Sequence, residues 1–166
     1  MIIEVLEVVF LFSTALMIAY LIRHYVFTLT VLKRNKKPSK NTADNKYEPT
    51  VSILIPAHNE EKVIGRLLQR MTKLTYPHSK LQVITINDAS ADKTGQIAEE
   101  YANRDSFIEV LHRDKKTGGK GKAAAMNAGL KRSTGEIVLC FDADYYPHKD
   151  IVKKLVKKFV DPAVGA

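Results

Sequence analysis

The chain opens on an apolar segment, Val5–Ile22, interrupted only by Glu7, Ser13 and Thr14. A helix rises about 1.5 Å per residue, so a run of this size suits the hydrocarbon core of a bilayer. Tyr20, Tyr25 and Phe27 fit an interfacial aromatic belt. A signal peptide would carry positive charge ahead of its apolar run, whereas Glu4 and Glu7 stand there. Residues 1–32 are therefore expected to form a transmembrane anchor.

The pattern changes after Pro49. Val51–Ile55 is a short, β-branched apolar run of the kind buried on both faces of a parallel sheet. Asn59 is expected to cap a helix with Glu60 and Glu61 in its first turn, and Val63, Ile64, Leu67, Leu68 and Met71 then recur at helical spacing until Tyr76-Pro77. Leu81–Ile86 reads as a second strand, Ser90–Asn103 as a helix, and Phe107–Leu111 as a third strand. Lys122–Lys131 reads as a helix and Ile137–Phe141 as a fourth strand. A last helix has Ile151, Val152, Leu155, Val156 and Phe159 on one face and Lys153, Lys154, Lys157 and Lys158 on the other. Strands alternating with helices imply right-handed crossovers and a mostly parallel sheet, an α/β domain over residues 49–166.

Composition adds a location. The formal net charge is +8, and the stretch Lys33–Glu48 carries six Lys/Arg against two acids directly after the apolar segment. That placement favours a membrane surface over nucleic acid as the partner of the basic charge. Residues 33–48 read as a basic linker, and Lys33, Arg34, Lys36, Lys37 and Lys40 place everything downstream in the cytoplasm at the cell membrane. The single Cys140 has no partner for an internal disulfide and is expected to be a small buried strand residue.

In open parallel sheets, ligands bind beyond the carboxyl ends of the strands. Three strand ends here carry polar groups: Pro56-Ala-His-Asn-Glu60, Asn87-Asp-Ala-Ser90 and Asp142-Ala-Asp144. Two carboxylates in one tight turn repel each other unless a cation sits beside them. Mg²⁺ typically takes one or two carboxylates plus substrate phosphates, while a solvated turn is the plain alternative. Gly118-Gly-Lys-Gly-Lys122 opens a helix with close backbone approach, free N–H groups and positive charge, which suits a phosphate; it reads equally as a basic surface loop. Glu60 could serve only the helix dipole, and Asp88 could only turn the chain. If Asp88 instead serves a ligand, Asp88→Ala is expected to lower ligand affinity and leave stability within about 1 kcal/mol, since a functional turn residue contributes little packing. His58, His78, His112 and His148 lack metal-ligand spacing and read as surface or structural residues.

Four segments, Val51–Glu61, Ile86–Thr94, Gly119–Gly129 and Phe141–Pro147, occur in the order found in family 2 glycosyltransferases. They resemble most the processive cellulose, chitin, hyaluronan and poly-N-acetylglucosamine synthases. The resemblance covers Pro49–Ala166 and implies the GT-A fold, with a Rossmann-like nucleotide-binding sheet. It implies that Ala57, Glu60 and Asp88 line the base and ribose pocket and that Lys122 lies near the nucleotide. Asp142 and Asp144 would hold ribose, diphosphate and Mg²⁺ or Mn²⁺. The implied reaction transfers a hexose or N-acetylhexosamine from a UDP-sugar to a glycan acceptor, with inversion.

The family also uses a later carboxylate as general base, and processive members add Gln-x-x-Arg-Trp. Neither is expected within this chain, which has no Trp and ends at Ala166. The domain is therefore expected to be a truncated donor-binding part without transfer activity of its own. The other reading left open is a non-catalytic nucleotide-sugar-binding membrane protein, using its basic linker and last helix to hold anionic lipid or a partner subunit.

Overall fold

The computed structural model describes residues 2–34, 47–114, 116–160 and 164. The chain divides into two units, residues 1–42 and 43–166. In the first, helix α1 runs from Ile2 to Arg34. Its stretch Ile2–Leu32 has a mean hydropathy of 2.3 and no buried residue, so by length and composition it can cross a membrane. The helix outlasts the apolar run Val5–Ile22 because Arg23 is a good helix former and does not end it. Three of its hydroxyls bond within the helix: Ser13 donates to the Phe10 carbonyl at 2.9 Å, Thr28 to that of His24 at 2.9 Å and Thr30 to that of Val26 at 2.8 Å. Unpaired polar groups would be costly in lipid. Of the expected basic linker, Lys36, Lys37 and Lys40 lie outside the described residues.

The second unit is a parallel sheet of β1 (Val51–Ala57), β2 (Leu81–Asp88), β3 (Ile108–Arg113) and β4 (Ile137–Cys140), in the order β3-β2-β1-β4. Helices α2 (Ile64–Met71), α3 (Thr94–Ala102), α4 (Lys122–Leu130) and α5 (Ile151–Val156) connect or follow the strands. One face buries Ile53, Ile55 and Val83 under Leu67, Leu68, Ala98 and Val152 from α2, α3 and α5. On the other face α4 covers Leu54, Ile84 and Ile86 with Ala125. It lies close because Gly129 has no side chain there; a Cβ would stand 2.5 Å from Ile86 Cδ1.

Pro56 stands inside the central strand β1, where a missing N–H would normally cost a ladder bond. It costs none here. Leu54 turns its carbonyl toward β4 and accepts from the Phe141 N–H at 3.0 Å. Pro56, two residues on, faces the same side, where β4 has already ended at Cys140. The sheet thus opens on both sides of this point: β2 and β3 extend one way from β1, and β4 lies on the other. That is a topological switch point, where a crevice forms beyond the strand ends.

Several local expectations need correction. Asn59 does not cap a helix; it takes a left-handed backbone (φ 56°), and α2 begins only at Ile64 behind Val63. Glu60 and Glu61 therefore precede the helix rather than filling its first turn. The helix ends at Met71, and the second helix starts at Thr94 rather than Ser90. Cys140 is exposed, not buried, because among the described residues no strand pairs with the outer side of β4. Partial desolvation nevertheless pushes its thiol pKa up, the opposite of a reactive cysteine.

Tyr76, 3% exposed, donates its hydroxyl to the Pro49 carbonyl at 2.5 Å. Burial, followed by the Glu48 carboxylate, pushes its pKa up to about 12. A folded-state value above the ordinary one of about 10 means the contribution is complete below pH 10 and lost as pH rises through 12. Tyr76→Phe should cost about 1 kcal/mol at neutral pH and remove this alkaline loss. Circular dichroism across an alkaline titration checks both; an unchanged alkaline limb would contradict the assignment.

Candidate functional site

The crevice at the switch point holds a cavity of about 390 Å³. Ala57, Glu60, Asp88, Lys122, Asp142 and Asp144 all line it. The backbone explains why they meet. Ala57 and Asp88 end β1 and β2, Lys122 opens α4, and the two aspartates follow β4.

The loop carrying Glu60 is fixed by reciprocal bonds to the loop after β2. The Asn59 N–H donates to Ser90 Oγ at 3.0 Å, and Asn59 Oδ1 accepts from the Ala91 N–H at 2.8 Å. The Glu60 N–H donates to Thr94 Oγ1 at 2.7 Å, and the Glu61 N–H to Asp92 Oδ2 at 3.1 Å. Asn59 thus serves loop-to-loop registration instead of helix capping. His58 was read as surface or structural, yet it lines the cavity and its Nδ1–H donates to the Asp88 carbonyl oxygen at 2.7 Å.

Asp88 is more than a turn residue. Its Oδ1 receives Arg113 Nη1 at 2.5 Å, with both side chains more than nine-tenths buried. Arg113 ends β3 directly opposite Asp88 in the strand register, and also donates to the Thr117 carbonyl. One guanidinium therefore ties the end of β2 to the glycine loop ahead of α4. Gly118 sits in that junction, where a Cβ would come within 2.9 Å of Ala89 Cβ and of the Asp114 carbonyl. The sequence reading missed Arg113. Its signal was positional, the last residue of the strand beside Asp88, and appears only once strands are paired.

Gly119 and Gly121 both have positive φ (69° and 86°), a conformation that glycine adopts without strain. They deliver the N-terminus of α4 to the cavity. Lys122, its first residue, reaches the Asp142 carboxylate. That hydrogen bond raises the lysine pKa and keeps it charged. Ala143 is buried in the core between two exposed aspartates, so the backbone holds both carboxylates outward.

Asp142 and Asp144 are hard oxygen donors, and among the described residues no third His, Cys, Asp or Glu joins them. Such a pair fits Mg²⁺ or Mn²⁺ completed by water and substrate phosphates, and does not form a closed protein cage. Asp150, by contrast, does not line this cavity. It accepts from Thr75 Oγ1 at 2.8 Å, which holds its carboxyl below the usual range. Asp161 lies outside the described residues.

The family model described as "Glycosyl transferase family 2" matches residues 52–166. The chain is 44% identical over 108 residues to "Probable glycosyltransferase YdaM" of Bacillus subtilis, covering 65% of this chain and 26% of that protein. Among solved structures, mannosyltransferase PcManGT from Pyrobaculum calidifontis, in complex with GDP-Man and Mn²⁺, aligns with a TM-score of 0.74 at 32% identity. That alignment covers 85% of this chain and 41% of the neighbour. TarS 1–349 of S. aureus, in complex with UDP-GlcNAc, aligns with a TM-score of 0.58 at 32% identity, over 68% of this chain and 31% of TarS 1–349. The chain spans about a quarter of the length of several curated relatives it matches.

Proposed function

Because this chain belongs to glycosyl transferase family 2, we propose that it forms the donor-binding part of a metal-dependent, inverting transferase for UDP-sugars. Helix α1 would hold it at the cell membrane, with the second unit in the cytoplasm. The observation that supports this reading most is the convergence of Asp88, Lys122, Asp142 and Asp144 on one cavity at the switch point.

Asp88, held in place by Arg113, reads the base. Oδ1 of Asp88 is taken by Arg113, which leaves its second oxygen to accept from a ring N–H of the ligand at the cavity. An N–H next to C=O is the edge of uracil, and guanine shares it; cytosine and adenine do not present it. The GDP-Man complex of PcManGT favours guanine as the second reading. The helix N-terminus after Gly121 and the Lys122 ammonium receive the diphosphate. Asp142 and Asp144 hold the metal, which when bound neutralises charge on the departing diphosphate. The sugar, a hexose or N-acetylhexosamine, then faces an acceptor glycan, whose general base comes from elsewhere in the full enzyme.

Titration of the chain in detergent micelles with UDP, GDP, CDP and ADP, each with Mn²⁺, tests the base assignment. CDP and ADP should bind at least about tenfold more weakly than UDP, a difference of about 1.4 kcal/mol. Equal affinity for all four would show that Asp88 does not read the base.

A further inference from the structure

Charge is unevenly spread over the helices. Between Glu61 and Asp88 the sequence contains no acidic residue, and α2 and the turn after it expose Arg66 and Lys73. On the same face of the sheet, α5 and the 3-10 turn that follows it expose Lys153, Lys154, Lys157 and Lys158 while Val152 and Val156 are buried. The two basic elements are joined: Arg70 stacks over the Tyr146 ring at 4.2 Å and donates to the Pro147 carbonyl, and Thr75 bonds Lys149 and Asp150. None of the four α5-side lysines has an ion-pair partner among the described residues. The spacing i, i+1, i+4, i+5 sets them on one stripe. Unpaired charge of a single sign destabilises the compact state by self-repulsion, and an anionic partner relieves it.

We infer that this lysine ridge docks on an anionic lipid bilayer. The inference rests on the reading of α1 as a membrane helix. Twelve residues, 35–46, connect α1 to Tyr47, and at about 3.5 Å per residue such a chain reaches no farther than roughly 45 Å. A spanning α1 thus keeps the ridge at high local concentration beside lipid head groups. Electrostatic attraction to anionic lipid decays within a Debye length of about 10 Å, so clustered lysines act together and lysines on other faces do not.

The test uses the full chain in nanodiscs of phosphatidylcholine alone or mixed with phosphatidylglycerol. Retention in the neutral discs reports α1 by itself. Amine-labelling rates of Lys153, Lys154, Lys157 and Lys158, relative to Lys131 at the end of α4, report the ridge. Labelling should slow several-fold in anionic discs at low salt and recover at high salt, with no slowing in neutral discs. Equal rates in both discs would overturn the inference, as would equal slowing in both, which assigns the ridge to a protein contact. If neutral discs fail to retain the chain, the α1 reading fails alone. The ridge is then judged by sedimentation with phosphatidylglycerol vesicles, which the variant K153E/K154E/K157E/K158E must abolish; co-sedimentation that survives it overturns the ridge.

Discussion

Asp88→Ala should destabilise the second unit by about 3–5 kcal/mol, because it strands the buried Arg113 guanidinium without its counter-charge. The size of this loss reverses the expectation from sequence, which gave Asp88 only a turn and a ligand to serve. Burial decides the difference. An exposed ion pair contributes about 0–1 kcal/mol, whereas here both side chains are more than nine-tenths buried. Adding Arg113→Leu to Asp88→Ala should recover part of the stability, since a hydrophobic replacement of both partners carries no stranded charge. Urea unfolding of the two single variants and the double variant measures the coupling. A loss below about 1 kcal/mol for Asp88→Ala would contradict the buried-pair account.

The opposite pattern is expected at Asp144. Its side chain is exposed and makes no hydrogen bond among the described residues, so Asp144→Asn should leave the urea midpoint unchanged. Affinity for UDP in the presence of Mn²⁺ should nevertheless fall more than about tenfold, or ~1.4 kcal/mol. Affinity in chelator should not fall, because on the proposed reading the substitution removes a metal ligand together with a negative charge that, without metal, only repels the diphosphate. A matching loss with and without metal would assign Asp144 to the nucleotide instead. The pair of variants therefore separates two aspartates at one cavity: loss of Asp88 costs the fold as well as a contact to the base, and loss of Asp144 costs only ligand binding.

Much of this arrangement is legible in the sequence because parallel strands buried on both faces leave continuous apolar runs. Val51–Ile55 and Leu81–Ile86 mark two such strands, and the polar residues that interrupt them fall at the sheet's ligand-binding edge. Glu60, Asp88, Asp142 and Asp144 fall together on that ground, whereas Ala57 and Lys122 are placed with them by the resemblance to family 2 glycosyltransferases. Asn59 could not be read correctly: its left-handed backbone depends on Ser90 and Ala91, some thirty residues away. Arg113 was hidden for a similar reason, since only the β2–β3 register brings it to Asp88. Cys140 was misread because nothing local marks the outer side of β4 as unpaired among the described residues. The likeness to processive synthases is narrower than the family membership that the comparisons support.

Metal-dependent nucleotide binding is the central claim, and isothermal calorimetry of the chain with UDP tests it most directly. With Mg²⁺ or Mn²⁺ present, binding should be at least about tenfold tighter than in chelator, a gain of ~1.4 kcal/mol or more. Equal affinity in the two conditions would show that Asp142 and Asp144 do not hold a metal for the donor diphosphate.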